Sequence, residues 1–248
     1  MIKGLVISMT SILISTSAFA GVKSICGSND DRVLSFDAKI GRLSVEGKHK
    51  GCTVTMISET CGVTAGHCEP VLERAEFNTP ESINNEPQPS SLKDVYQIDK
   101  TTIVAQNEGP GKDWAVMKFK RNKITGKFPG QVQGYYNVSF KKLTNNMRIS
   151  ITGYGKDDGD LRRNFAQQYH SGKITGLGDS SYGASAMKHT VDTMGGNSGS
   201  TILDLNTQEV IGIHSHGGCS SFYGYNMGTI ISKHANAMKA IRKCLASE

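Results

Sequence analysis

The sequence predicts an all-β protein. Three observations carry that class: 28 glycines among 248 residues, short stretches in which apolar and polar residues alternate, and helical spacing confined to the C-terminal end. From Gly51 to Ile57, Cys52, Val54 and Met56 fall on one side and Thr53 and Thr55 on the other, as in a half-buried strand. Ser58-Glu59-Thr60 turns the chain, and Cys61 to Ala65 runs back. Residues 78–91 hold three prolines and two adjacent asparagines, which predicts a surface loop. Thr101 to Ala105 and Trp114 to Phe119 read as further strands. Lys120 to Gly134 is polar and reads as a linker between two halves. Arg148 to Thr152 alternates again, Gly153 to Asp160 is a glycine- and aspartate-rich solvated loop, and Val210 to His214 is a strand ending on a histidine. Ser232 is placed to cap a last helix whose Ala235, Met238, Ile241 and Leu245 share one face.

The chain opens on an export signal. Lys3 gives a positive start, Leu5 to Ile14 is mostly apolar but too short to span a bilayer, and Ala18-Phe19-Ala20 fits a small-x-small cleavage site. The expected layout is a signal peptide over residues 1–20, an N-terminal unit over 21–125 with room for a short prosegment, a C-terminal unit over 126–231 and a helix over 232–248. The mature protein is expected to be secreted, to the periplasm or outside the cell, free of the membrane and monomeric. Formal net charge is +6, but the cationic residues are scattered. No basic run is interleaved with aromatics, so nucleic-acid binding is not expected. Six cysteines in an exported chain read as three disulfides rather than metal ligands. Cys52 and Cys68 bracket the strand pair leading to His67 and form the first expected bridge. Of the many connectivities six cysteines allow, Cys61–Cys244 and Cys26–Cys219 complete the expected set.

Chemistry is concentrated in three places: Thr64-Ala65-Gly66-His67-Cys68, Asp113-Trp114-Ala115-Val116-Met117 and Gly195-Gly196-Asn197-Ser198-Gly199-Ser200. A serine flanked by glycines lets the backbone turn sharply and present a hydroxyl and free N–H groups to one carbonyl. Ser198 is the expected nucleophile. A serine hydroxyl is weak at neutral pH and needs a base within reach, and His67 is the expected base. Asp113 would fix the His67 tautomer and stabilise its cation. The N–H groups of Gly196 and Ser198 would form an oxyanion hole. His214-Ser215-His216 lacks a third ligand, so no metal is expected there, and no cofactor elsewhere.

At these residues the chain resembles the chymotrypsin-fold serine proteases, whose catalytic residues follow in the order His, Asp, Ser. Among them it is most similar to the bacterial glutamyl endopeptidases. The matching stretches are Thr64 to Cys68, Asp113 to Lys118, Gly153-Tyr154-Gly155, Asp192 to Ser200 and Val210 to Gly218. The resemblance implies two antiparallel six-stranded β-barrels with the active site between them, a C-terminal helix, and hydrolysis of protein or peptide substrates through an acyl-enzyme. It implies that Thr193 and His214 line the pocket for the residue whose carbonyl is attacked. Ser215 and Gly217 would then bind substrate backbone as an antiparallel strand. A glutamate side chain entering a narrow pocket loses water and needs donors in return, which the Thr193 hydroxyl and the His214 imidazole can supply. The resemblance further implies a mature α-amino group near the pocket, with Ile25 to Arg32 similar to the family's mature start. Trypsins carry aspartate just before the nucleophile, where it pairs with a new N-terminus. Asn197 cannot supply that charge.

Two other readings use the same residues. Asp192 stands six before Ser198, where trypsins place the aspartate that selects arginine and lysine. Pointing into the pocket, it would give trypsin-like cleavage after basic residues. His214 opposes a cationic side chain, and Met194 replaces the cysteine that braces the trypsin pocket, which favours glutamate. A non-catalytic binding or adhesion protein on this fold would have lost a triad residue or the oxyanion glycine, and neither is lost here. The sequence therefore predicts a secreted serine endopeptidase that cleaves after glutamate and less well after aspartate.

Overall fold

The alternating segments close into two six-stranded antiparallel barrels. A computed structural model describes residues 24–49 and 51–247; the segment read as an export signal lies outside the described residues. The first barrel is built from β2 (Ile40–Ser44), β3 (Thr53–Met56), β4 (Cys61–Thr64), β5 (Arg74–Glu76), β6 (Val95–Asn107) and β7 (Asp113–Phe119), closed in the order β2-β3-β4-β7-β6-β5. The second uses β8 (Arg148–Gly153), β9 (Gln168–Asp179), β10 (Gly183–His189), β11 (Thr201–Asp204), β12 (Val210–His216) and β13 (Asn226–Ile230), closed by pairing of β9 with both β8 and β10. Leu43, Val54, Met56, Val63, Phe77, Tyr96 and Met117 fill the first core. Ile149, Ile151, Ile174, Met187, Ile202 and Ile230 fill the second.

Three details differ from the sequence reading, each for a physical reason. β3 is buried on both faces rather than one, because its threonine face meets the second barrel. The Thr53 N–H donates to the Ser198 carbonyl at 2.8 Å, and Thr55 Oγ1 lies 3.0 Å from Thr201 Oγ1. The last helix, α2 (Ala235–Leu245), is capped by His234, whose Nδ1 accepts the Ala237 N–H at 3.2 Å, and not by Ser232. Ser232 belongs to a preceding 3-10 turn, Ile231–Lys233. The helix buries Ala237, Ile241 and Cys244, with Ala235 left exposed. Cys244 is bonded to Cys61, which fixes the helix by that face. Finally, Asp157 in the glycine- and aspartate-rich loop is buried, with its carboxylate 2.9 Å from Arg163 Nε.

The segment from Ser24 to Leu34 precedes the first barrel in sequence but packs on the second. There β1 (Val33–Leu34) pairs with β9, and Ser24 bridges to Thr193. Cys26 is bonded to Cys219 and Cys52 to Cys68. Between the barrels, α1 (Pro129–Gln133) lies against the turn after β3. A Cβ on Gly130 would come 2.2 Å from the Ser58 carbonyl oxygen, so only glycine allows that approach. Among the described residues no helix is long and apolar enough to cross a membrane.

Candidate active site

Two strand ends of the first barrel hold the imidazole and the carboxylate. After β4 the chain turns through a 3-10 helix, Gly66–Val71, that carries His67. β7 begins at Asp113, which is fully buried. One Asp113 oxygen accepts the His67 backbone N–H at 3.0 Å, and the other lies 2.6 Å from His67 Nδ1. A carboxylate only accepts, so Nδ1 carries the proton and Nε2 is left free to act as a base. Thr229 on β13 clamps the same residue from the second barrel: its hydroxyl donates to the Asp113 carbonyl at 3.0 Å and takes the Asp113 N–H at 3.2 Å.

The second barrel supplies the serine turn. Gly196 sits at φ +105°, and a Cβ there would come 2.2 Å from the Tyr154 carbonyl oxygen. Gly199, at φ +86°, would place a Cβ 1.9 Å from Thr64 Oγ1 and 2.9 Å from the Ala65 nitrogen. The residue after Ser198 is thus pressed onto the strand end that leads to His67. Ser198 is also tied through its carbonyl to Thr53, next to the Cys52–Cys68 bridge, whose other half adjoins His67. The Asn197 carbonyl oxygen Oδ1 accepts the Met194 N–H at 2.9 Å, and Lys156 N–H donates to the Gly195 carbonyl at 2.7 Å. These contacts spend the turn's carbonyls and leave the Gly196 and Ser198 N–H groups without a partner among the described residues. The Ser198 hydroxyl also makes no hydrogen bond there, to His67 or to any other residue; such contacts are commonly long without substrate and tighten on binding.

The residues assigned to a polar recess beside the serine turn are both buried, Thr193 at 1% and His214 at 3% exposed. Thr193 Oγ1 is buried with no hydrogen-bond partner, a state that costs about 1–3 kcal/mol until a partner arrives. His214 lies deep in β12, 3% exposed, and its Nδ1 is 3.2 Å from Nε2 of His189. His189 in turn takes the Val191 N–H on Nδ1 at 3.2 Å. That bond puts the His189 proton on Nε2, which donates to His214 Nδ1, so the His214 proton sits on Nε2. Burial, then the neighbouring His189, His216 and His67, push the His214 pKa well below the ordinary histidine range, against a smaller upward pull from the Met227 carbonyl. The recess is therefore lined by neutral donors at neutral pH.

Asp192 does not supply a charge to this recess. Its oxygens accept the Cys26 N–H at 2.7 Å and the Asp31 N–H at 3.1 Å, and burial pushes its carboxyl pKa upward. Ser215 and Gly217 follow His214 at the rim, where a Cβ on Gly217 would come 1.7 Å from Ser24 Oγ. Asn226 ties this rim together. Its Nδ2 donates to the Ser24 carbonyl at 2.7 Å and its Oδ1 accepts the Gly218 N–H at 2.9 Å. Sequence reasoning missed His189 and Asn226. His189 stands three residues before the Asp192 to Ser200 stretch and Asn226 opens β13; each shares its strand with other polar residues, so nothing in the linear pattern marks it.

His189 makes the fold acid-sensitive. Burial pushes its pKa down to about 3, so between the ordinary value near 6.5 and about 3 the unfolded chain binds the extra proton. Stability falls as pH drops through that window, by up to about 1.4 kcal/mol per pH unit, and levels off below it. Denaturant melts of the wild type and a His189→Gln variant should converge as pH falls from about 6.5 to about 3. A gap that stays constant across that range refutes the assignment.

Comparison with known proteins bears on the family and the fold. The sequence family described as trypsin matches residues 30–238. Glutamyl endopeptidases of Staphylococcus aureus strains MW2 and NCTC 8325 / PS 47 are 33% identical over 172 residues, 68% of this chain and 46% and 45% of theirs. The chain thus spans less than half the length of these curated relatives. Among solved structures, a Glu endopeptidase in complex with MPD superposes with a TM-score of 0.68 at 21% identity, covering 90% of this chain and all of that one. A thermostable serine protease, AL20, from an extremophilic microorganism superposes at 0.64 and 15% identity, covering 86% and 99% of the two chains. At these identities the two structures show a shared fold.

Proposed function

The chain belongs to the trypsin family, and from that premise we propose that it is a secreted serine endopeptidase cleaving after glutamate and, less readily, after aspartate. Ser198 attacks the carbonyl carbon of the scissile bond while His67 Nε2 takes its proton. Asp113 holds the imidazole through Nδ1 and stabilises the cation that forms. The developing oxyanion accepts from the Gly196 and Ser198 N–H groups, worth ~10²–10³ in rate each. His67 then protonates the leaving amine, the acyl-enzyme forms, and water releases it by the reverse proton path. Ser215 and Gly217 hold the substrate main chain as an added strand.

The observation that carries glutamate selectivity is the unpaired buried Thr193 hydroxyl beside a neutral His214. A carboxylate satisfies the first and draws a proton onto the second, turning a neutral contact into a charge-assisted one. The binding of Asp192 by two backbone N–H groups speaks against a basic substrate. The pairing of Ser24 with Thr193 supports an α-amino group close to the recess once the preceding residues are removed. The test is a panel of chromogenic peptides varied only at the residue whose carbonyl is attacked. Glutamate should exceed glutamine and arginine in kcat/KM by about 10²-fold, and Thr193→Val should erode that margin by about tenfold. Faster turnover of arginine would overturn the assignment of the recess.

A further inference from the structure

His216 stands outside everything assigned so far. It ends β12 beyond a register shift that separates it from His214. The shift turns the two histidines to different barrels. His214 faces His189 inside the second, whereas His216 faces the first. Its Nδ1 lies 2.9 Å from Ser215 Oγ and 3.8 Å from Asp113 Oδ2, and its ring meets that of His67 edge to face at 5.9 Å. Nδ1 is therefore committed inward. Among the described residues no hydrogen bond engages Nε2, and the side chain keeps 38% of its surface exposed. The titratable groups acting on it are Asp113 of β7, His67 of the 3-10 turn and His214 of its own strand. Burial, resisted by the Asp113 charge, holds its pKa below the ordinary histidine range.

We propose that His216 reads the substrate side chain immediately before the cleaved residue and selects an acidic one there. The inference rests on the proposed reading of the site. A substrate strand lying along Ser215 and Gly217 sends successive side chains to opposite faces. With the cleaved residue's side chain down among Thr193 and His214, the preceding one turns to the wall formed by His67 and His216. On that wall His216 presents Nε2, a donor once the ring is protonated, with a buried carboxylate behind Nδ1. An incoming carboxylate gives it a second anion, favours its cation and accepts a charge-assisted hydrogen bond from Nε2. A lysine or arginine at the same place repels the His216 cation on which that bond depends.

The test uses the full chain, purified in active form, and peptides identical except for the residue before a fixed cleaved glutamate. Glutamate or aspartate there should raise kcat/KM about fivefold over glutamine or asparagine. The margin should widen from about pH 8 to about pH 6 as His216 takes its proton more readily. In His216→Phe, which keeps an aromatic ring on the wall, and in His216→Gln, the acid and amide peptides should be cut at equal rates at every pH. The comparison is a ratio between two substrates on one enzyme, so a general loss of activity does not move it. Cleavage after glutamate with no preference at the preceding position, or a preference that survives both variants, overturns this inference and leaves the parent reading standing. Absence of cleavage in the whole panel overturns both.

Discussion

Replacing Ser198 with alanine should lower kcat/KM for peptide hydrolysis by about 10⁴-fold or more, while the folded protein melts where the wild type does. The size follows from the division of labour in the site. In the proposed mechanism His67 and Asp113 activate one hydroxyl, and without it their 2.6 Å contact has no proton to move. What remains is binding and the unpaired N–H groups of the serine turn. The fold should not notice, because the Ser198 side chain makes no hydrogen bond among the described residues and its backbone carbonyl stays tied to Thr53. The same variant should lose labelling by a serine-directed sulfonyl fluoride. Hydrolysis that survives the change would remove the mechanism.

Arg42→Met should produce the largest loss of stability, about 3–5 kcal/mol, or roughly 6–20 °C in melting temperature. Arg42 and Glu76 are both buried, with Nη2 and Oε2 2.6 Å apart. Ser44 and His49 complete the carboxylate's shell at 3.0 and 2.8 Å. Burial alone would raise the Glu76 pKa, but the Arg42 hydrogen bond and charge, with His49 behind them, hold it below the ordinary carboxylate range. The pair's contribution is thus complete above that range and is lost as pH falls through the lowered value. Removing the guanidinium takes the closest cation from a buried charge and leaves only Arg74 Nη2, 3.7 Å away, and His49 beside it. A double variant, Arg42→Met with Glu76→Leu, should recover much of the loss, since the cost lies in the stranded charge. Activity should fall as well. Arg42 Nη1 donates to the Phe165 carbonyl at 2.8 Å, and the Phe165 ring reaches within 3.0 Å of where a Gly196 Cβ would stand. A double variant no more stable than the single one would contradict the account.

Much of this arrangement was readable from the residues, and the reason is local. Alternation over Thr53–Met56 and Arg148–Gly153 reports strands directly, because period-two patterns need no knowledge of partners. The glycines at 196 and 199 were legible for the same reason: only they tolerate the turn that presents Ser198. Non-local facts were less visible. Nothing near Asp192 in sequence says that its oxygens are taken by Cys26 and Asp31, more than 160 residues away. β6 runs from Val95 to Asn107, but its middle is exposed on both faces, which erases the alternation and hides its true length. The helix face was read nearly whole, since Met238, Ile241 and Leu245 pack on the core; only Ala235 is exposed, and Cys244 joins the face through its partner on β4. His189 and His216 owe their surroundings to pairing between strands, which a linear pattern does not encode.

The two long-range bridges clip each end of the molecule to the opposite lobe. Cys26 is fastened to Cys219, and Cys244 to Cys61. A nick in the exposed connection around residues 123–127 would leave both pieces joined by two covalent staples, so neither lobe could drift off and unravel. The chain can thus be cut there and still hold its two barrels together.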